Sequence, residues 1–359
     1  MPSGTYTLAD LRANRFQSVA DFGLDTLDPI LRADLAAYNR ITEEGMMELA
    51  DVTTDRQRIY GTSVGGDLME EGDEFDPGVA RKPATGGVTV GFPLRKYPFA
   101  IGWTSDYFLM ATPADVAETV ISAQQAFTRT MFRDVKRALF GATNTTFRDR
   151  FAVPIVDLAV KALVNADSAD IPNGPNGETF TGSSHTHYDF LDGAAPTQAA
   201  LLSAQTDVME HGHVSGIRQY INLAAEEAVR GFARFVPYAD PRIVYRTSDT
   251  PAQTLNIESD GGNRPIGILG AAEIWVKPWV PAGYVFTFAA NDPRKPLVYR
   301  QHPVQAFRGL RIAARLSDYP LIADQMESYF GVSVWNRTNG HVLYYAGSAS
   351  AYVAPTFTS

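Results

Sequence analysis

The chain has no cysteine in its 359 residues. Disulfides and thiolate chemistry are therefore excluded. It has no apolar run approaching the ~20 residues of a membrane span. The N-terminus, MPSGTYTLADLRANRF, lacks a basic-then-apolar signal pattern, so the expectation is a mature, intracellular chain with no membrane partner. Lysine is scarce: 6 of the 31 basic residues, against 25 arginines. Arginine suits bidentate ion pairs at interfaces, and a GC-rich genome produces the same bias; composition does not separate the two. Positive charge is in deficit, with a net charge of −9 and no Lys/Arg-rich run. That disfavours tight, direct binding to DNA or RNA. At 45% hydrophobic and 20% charged, the chain is ordinary globular material, long enough for two or three domains.

Catalytic motifs are equally thin. Gly61-Thr62-Ser63-Val64-Gly65 fits G-x-S-x-G, but that elbow needs a helix after it, and an acidic glycine-rich stretch follows instead. Gly267-Ile-Leu-Gly270 precedes a strand pattern, which defeats a dinucleotide or phosphate-loop reading. Asn144-Thr-Thr and Asn336-Arg-Thr match glycosylation sequons, which are irrelevant without secretion. His185-Thr-His187 and His211-Gly-His213 place four of the six histidines in one window. Paired imidazoles can bind zinc, and Asp189 or Glu210 could complete a site. No cysteine and no helical H-E-x-x-H supports it, so the expectation is surface or hydrogen-bonding histidines. No catalytic residue, metal or cofactor is expected, and the class indicated is a structural protein.

What is present is a long helix, Thr112 to Phe140. Thr112 is a good N-cap and Pro113 a good first residue. Asp115 and Glu118 suit the positive end of the dipole; Arg133, Lys136 and Arg137 suit the negative end. Val116, Val120, Phe127, Met131, Val135 and Leu139 recur as one apolar stripe, and Gly141 ends the helix. At 1.5 Å per residue it is roughly 42 Å long.

Before it lies an arm. Asp67 to Asp76 holds six acids in ten positions, among glycines, and reads as an exposed loop. Val88, Val90, Phe92 and Leu94 alternate; Tyr97, Phe99, Ile101 and Trp103 alternate in shifted phase, implying a bulge or bend at Arg95-Lys96. Pro93 and Pro98 make these edge strands. Residues 5–50 begin helically, are interrupted at Thr42-Glu43-Glu44-Gly45, and look like a segment that packs on something else. After the long helix the chain predicts a strand or helix at Ile155 to Val164, helices over Thr197 to Glu210 and Glu226 to Phe235, and short strands from Pro265 to Arg300. A turn is expected at Val280 to Gly283, and a hairpin turning at Asn339-Gly340. The class is α+β.

Three stretches in this order resemble the major capsid proteins of tailed bacteriophages, the Hong Kong 97-like fold family. DEFDPGVARKPATGGVTVGFPLRKYPFAIGWTSDYF is similar to the family's extended loop (E-loop). Thr112 to Phe140 with GATNTTFRDR is similar to its spine helix. Pro265 to Arg308 with SYFGVSVWNRTNGHVLYY is similar to the later strands of its axial domain and the return to its peripheral domain. The resemblance implies an N-terminal arm over 1–50, an E-loop over 51–107 and a peripheral (P) domain over 108–216 with the spine helix at 112–140. An axial (A) domain over 217–305 and a return with a C-terminal hairpin over 306–359 would complete it.

It further implies pentamers and hexamers of this chain tiling an icosahedral virion shell around double-stranded DNA, assembled in the host cytoplasm. Arg56, Arg58, Asp73, Glu74, Asp76, Arg81, Lys82, Arg95 and Lys96 are the candidate contacts between subunits. A separate scaffolding protein, a portal and decoration proteins are the expected partners. Some members crosslink an E-loop lysine to an asparagine; here Lys82 and Lys96 would face Asn336 or Asn339, with nothing else in favour. The alternatives are an encapsulin-type compartment shell and a metal-dependent hydrolase using His185, His187, His211 and His213.

Overall fold

The computed structural model describes residues 6–60, 88–104, 106–151, 153–238, 263–318 and 321–357. Three helices come first, α1 (Leu8–Ala13), α2 (Val19–Phe22) and α3 (Leu24–Met46). Strands β1 (Ala50–Thr53), β2 (Gln57–Tyr60), β3 (Val88–Gly91) and β4 (Arg95–Thr104) follow, then α4 (Tyr107–Met110) and α5 (Pro113–Phe140). The middle holds β5 (Thr145–Asp149), β6 (Val156–Val160), β7 (Tyr188–Asp192), α6 (Gln198–Met209), β8 (Ile217–Ile221), α7 (Glu226–Arg230) and β9 (Phe235–Pro237). The chain ends in β10 (Arg264–Leu269), β11 (Ala272–Val276), β12 (Tyr284–Ala289), β13 (Leu297–Gln301), β14 (Arg311–Asp318), β15 (Leu321–Val334) and β16 (His341–Ala346).

Helix α5 forms where its sequence signals place it. Thr112 and Asp115 make a reciprocal capping box, Pro113 opens the helix and Gly141 caps its end. All six stripe residues from Val116 to Leu139 are buried. The N-terminal segment packs on this helix. The Tyr38 hydroxyl of α3 donates to the Gln124 carbonyl of α5 at 2.8 Å, and Leu11, Leu27, Leu31 and Leu35 share one core with Val116, Val120 and Phe127. The expected break at Thr42-Glu43-Glu44-Gly45 does not occur. Helix α3 runs through it to Met46, held there as Gln301 donates to Glu43 at 2.9 Å, while Gly45 faces open space.

Two sheets flank α5. The first has the order β1-β13-β15-β14, with β4 also paired to β15. Strand β4 is an edge, as its prolines require, matching Arg95–Thr104 against Phe330–Leu321. The phase shift expected near Arg95 is realised as a break after β3, where Phe92, Pro93 and Leu94 are buried between the strands. The second sheet has the order β7-β16-β12-β8-β11-β10-β9. Its interior strand β12 is buried at all six positions. Phe286 and Phe288 share the core of α5, and Val285 joins Leu201 of α6 on the other face.

The expected C-terminal hairpin is not formed. β15 pairs with β4, β13 and β14, whereas β16 pairs with β12 and β7 in the other sheet. Residues 335–340 are a buried crossover between the sheets. The Asn339 amide exchanges hydrogen bonds with the backbone of Ala289, at 2.8 and 3.2 Å, and Gly340 packs where an added Cβ would lie 3.0 Å from Leu163. The second sheet draws β7 and β16 from outside residues 217–305, and β13 inside that range belongs to the first sheet.

Arg337, 1% exposed, fastens the crossover. It donates to the Ala162 carbonyl at 2.8 Å and to Asn165 at 2.9 Å, and pairs with Asp167 at 3.1 Å. Burial alone would raise the Asp167 carboxyl, but Lys161, Arg337 and Asn144 outweigh it and hold it well below the usual carboxylate range. A lowered carboxylate contributes stability above its unfolded value, about 3.9, and loses it as pH falls through the folded one. Asp167→Asn should therefore destabilise the subunit at pH 7. The gap from wild type should narrow below about pH 4 in urea titrations at stepped pH.

Candidate assembly surface and histidine cluster

Strands β2 and β3 bracket residues 61–87, the segment expected to form the arm, and pair as a two-stranded ribbon at its root, in register Gln57–Gly91 to Tyr60–Val88. A second ribbon, β5–β6, lies against it. The approach is so close that a Cβ on Gly91 would fall 2.5 Å from the Leu158 Cβ. Tyr60, Val90, Phe92, Val298 and Trp335 form a small apolar cluster beneath the root. The Trp335 ring meets those of Tyr60 and Phe92 edge-on at 6.0 and 5.9 Å.

A buried ion pair locks this joint. Arg300 of β13 and Asp149 of β5 are 2% and 0% exposed and 2.9 Å apart. Arg300 also donates to the Phe92 carbonyl at 2.7 Å. Asp149 additionally attracts Arg56, at 3.5 Å. The arm root, the β5–β6 ribbon and the first sheet thus share one set of charges. Sequence reading missed this pair, because Arg300 and Asp149 sit in unremarkable strand patterns 151 positions apart.

Four of the candidate contact residues lie here, each with a partner in its own subunit. Arg56 donates to the Pro154 carbonyl at 3.0 Å. Arg58 binds Asp55 at 2.8 Å and lies over the Trp335 ring at 5.5 Å. Arg95 lies over the Phe147 ring at 4.8 Å, and Lys96 pairs with Glu327 at 2.6 Å. Asp73, Glu74, Asp76, Arg81 and Lys82 lie outside the described residues. Of the asparagines considered for a crosslink, Asn336 and Asn339 are both buried.

The histidines divide. His185 and His187 sit two residues apart in the extended segment entering β7, and His211 follows the end of α6. Their Nε2 atoms form a triangle with sides of 3.1, 3.0 and 3.0 Å. Glu210 adds an Oε1 at 3.4 Å from His185 and 3.7 Å from His211. His213 is not among them. Gly212, with φ +84, turns the chain, and His213 instead contacts Asp292 at 2.7 Å and Thr338 at 2.9 Å. The four-histidine set of the hydrolase alternative is therefore not assembled. His341 forms a separate group with Asp189 and Asp207, at 3.2 and 3.1 Å.

No protein-family model matches the chain, and no curated protein matches it. Solved structures do. A chain of Mycobacterium phage Patience is 23% identical, covering 99% of this chain and 96% of its own, with a TM-score of 0.67. The capsid of an empty GTA particle is 13% identical over 84% of this chain and 89% of its own, TM-score 0.45. An encapsulin complex from Synechococcus elongatus is 11% identical over 85% and 86%, TM-score 0.43. Among the described residues no helix is long and apolar enough to cross a membrane. The likeness to the Patience chain runs from end to end of both, and the fold of this chain is the mixed helix-and-sheet, Hong Kong 97-like fold.

Proposed function

We propose that this chain is the major capsid subunit of a tailed bacteriophage. It assembles with copies of itself into pentamers and hexamers of an icosahedral shell around double-stranded DNA. The observation that carries this is the end-to-end likeness to a phage chain, with neither chain holding a large unmatched domain. The base of the expected arm supports it: β2 and β3, which bracket residues 61–87, pair as a ribbon held by a buried ion pair and an aromatic cluster. An isolated two-stranded projection is marginal alone. In this reading it lies on a neighbouring subunit.

The residues given to that contact are Asp73, Glu74, Asp76, Arg81 and Lys82 on the arm, with Arg56, Arg58, Arg95 and Lys96 at its root. An exposed pair contributes only ~0–1 kcal/mol, but a closed shell repeats each pair in every subunit. The acidic net charge of −9 suits an enclosure that must release its DNA. The chain acts without catalysis, in the virion, after assembly in the host cytoplasm with a scaffolding protein, a portal and decoration proteins.

The test is light scattering and negative-stain microscopy of the purified chain, expressed alone and with its scaffolding protein. Closed particles or rings of five or six subunits are expected, and a monomer under both conditions sinks the proposal. Deleting residues 65–87 should leave a folded subunit that forms no shells; normal shells would remove the arm from the contact. Particles that package an enzyme and no DNA would favour the encapsulin alternative.

A further inference from the structure

The histidine triangle is an unsatisfied hydrogen-bond arrangement. His187 places Nδ1 at 2.7 Å from the Gly340 carbonyl. A carbonyl only accepts, so that nitrogen carries the hydrogen and the His187 Nε2 presents a lone pair to the other two rings. At most two hydrogens then remain for three contacts. With one hydrogen in the triangle, two lone pairs face each other; with two, both hydrogens point at one centre. Burial holds the His185 imidazole below its usual pKa, pushes His211 down to about 3, and keeps His187 well below normal. A third hydrogen would not help, because three N–H groups 3.0–3.1 Å apart would leave no acceptor among them.

A cation resolves the conflict by taking all three lone pairs. Zinc sits about 2.0–2.1 Å from imidazole nitrogen. At that distance from each corner of this triangle it would lie about 1 Å out of the nitrogen plane, and spreading the nitrogens by ~0.3 Å would bring it to the ~0.7 Å of a tetrahedral centre. The fourth corner is available, since the ligand atoms of His185, His187, Glu210 and His211 all lie within 4.8 Å of one another. The Gly340 carbonyl on His187 is the usual outer support of a metal-bound imidazole. The Phe180 ring covers the group, its centroid 4.9 Å from that of His185 and 4.1 Å from that of His211.

We propose that His185, His187, Glu210 and His211 form a structural zinc site that pins the segment entering β7 to the C-terminal end of α6. Nitrogen and oxygen donors in a four-point set suit zinc over magnesium or calcium, which take oxygen. Glu210 closes the fourth position, which a catalytic zinc leaves to water. The site stands on its own geometry and does not rest on the shell assignment.

The test uses the full chain without a histidine tag, stripped with a chelator and titrated with zinc alone against a chromophoric competitor. One equivalent per chain should bind, unaffected by millimolar magnesium. Cobalt in its place should give the intense visible absorption of four-coordination. Glu210→Gln should weaken zinc binding at least ~10-fold, and His185→Asn with His211→Asn should abolish it. Chelation should lower the melting temperature of wild type. No zinc bound by the wild-type chain overturns the proposal, even if the double variant fails to fold. So does binding that Glu210→Gln leaves unchanged. Zinc-dependent ester hydrolysis by the loaded chain would overturn the structural role.

Discussion

Asp149→Ala should destabilise the subunit by about 3–5 kcal/mol, the range for removing one partner of a buried ion pair. The cost comes from what is left behind. Arg300 is 2% exposed and, as an arginine, stays protonated. Without Asp149 its charge has no carboxylate at contact distance among the described residues. Its Nε already lacks a hydrogen-bond partner among the described residues, so the guanidinium cannot absorb a further loss. The Asp149 carboxylate also accepts from the Phe151 N–H at 3.1 Å and attracts Arg56, and both contacts go with it.

Because Arg300 holds the Phe92 carbonyl, the arm root should loosen as well. The measurement is urea unfolding of the unassembled subunit, with Glu118→Ala as the control. Glu118 pairs with Arg12 at 2.9 Å, but both are more than half exposed, so its loss should cost no more than ~1 kcal/mol. Equal effects in the two variants would mean that the buried pair does not hold the joint.

Phe330→Ala should cost a similar ~3–5 kcal/mol, here from a cavity. Phe330 is fully buried in β15, where the strand faces α5. Its ring lies 4.6 Å from Tyr97 of β4, 5.3 Å from Phe127 of α5 and 5.8 Å from Tyr299 of β13. Three elements meet on one side chain, so relaxation of any one leaves the other two unsupported. Phe330→Leu keeps most of the volume and should cost less than half as much. Calorimetric melting of the unassembled subunit separates the two variants. Indistinguishable melting temperatures would remove Phe330 from the centre of the core.

Helices α5 and α6 were legible in the sequence. Their start and stop signals act within a turn, and the apolar stripe of α5 repeats within seven residues. The cap expected at Thr112 is present, and α6 opens one residue after Pro196-Thr197, with Thr197 as its cap. The strands between Pro265 and Arg300 were legible for the same reason, since alternation is local. The last turn of α3 was misread because Thr42 to Gly45 argue locally for a break, and the packing of α3 on α5 and the Gln301 contact keep it helical.

Partners were not legible. Residues 330–334 and 342–346 each alternate correctly around an Asn-Gly, yet they enter different sheets. A turn signal proposes a hairpin, but long-range pairing and a buried arginine decide against it. The two H-x-H pairs read alike in sequence; a left-handed glycine at 212 sends His213 to Asp292 and leaves His211 beside His185 and His187. The sequence by itself determined the class of fold, the long helix and the absence of thiol chemistry, because these follow from composition and short-range period. Only the tertiary structure decided which strand meets which, which charge is buried and which nitrogens converge, because those contacts join residues tens to hundreds of positions apart and exist only once both partners leave water.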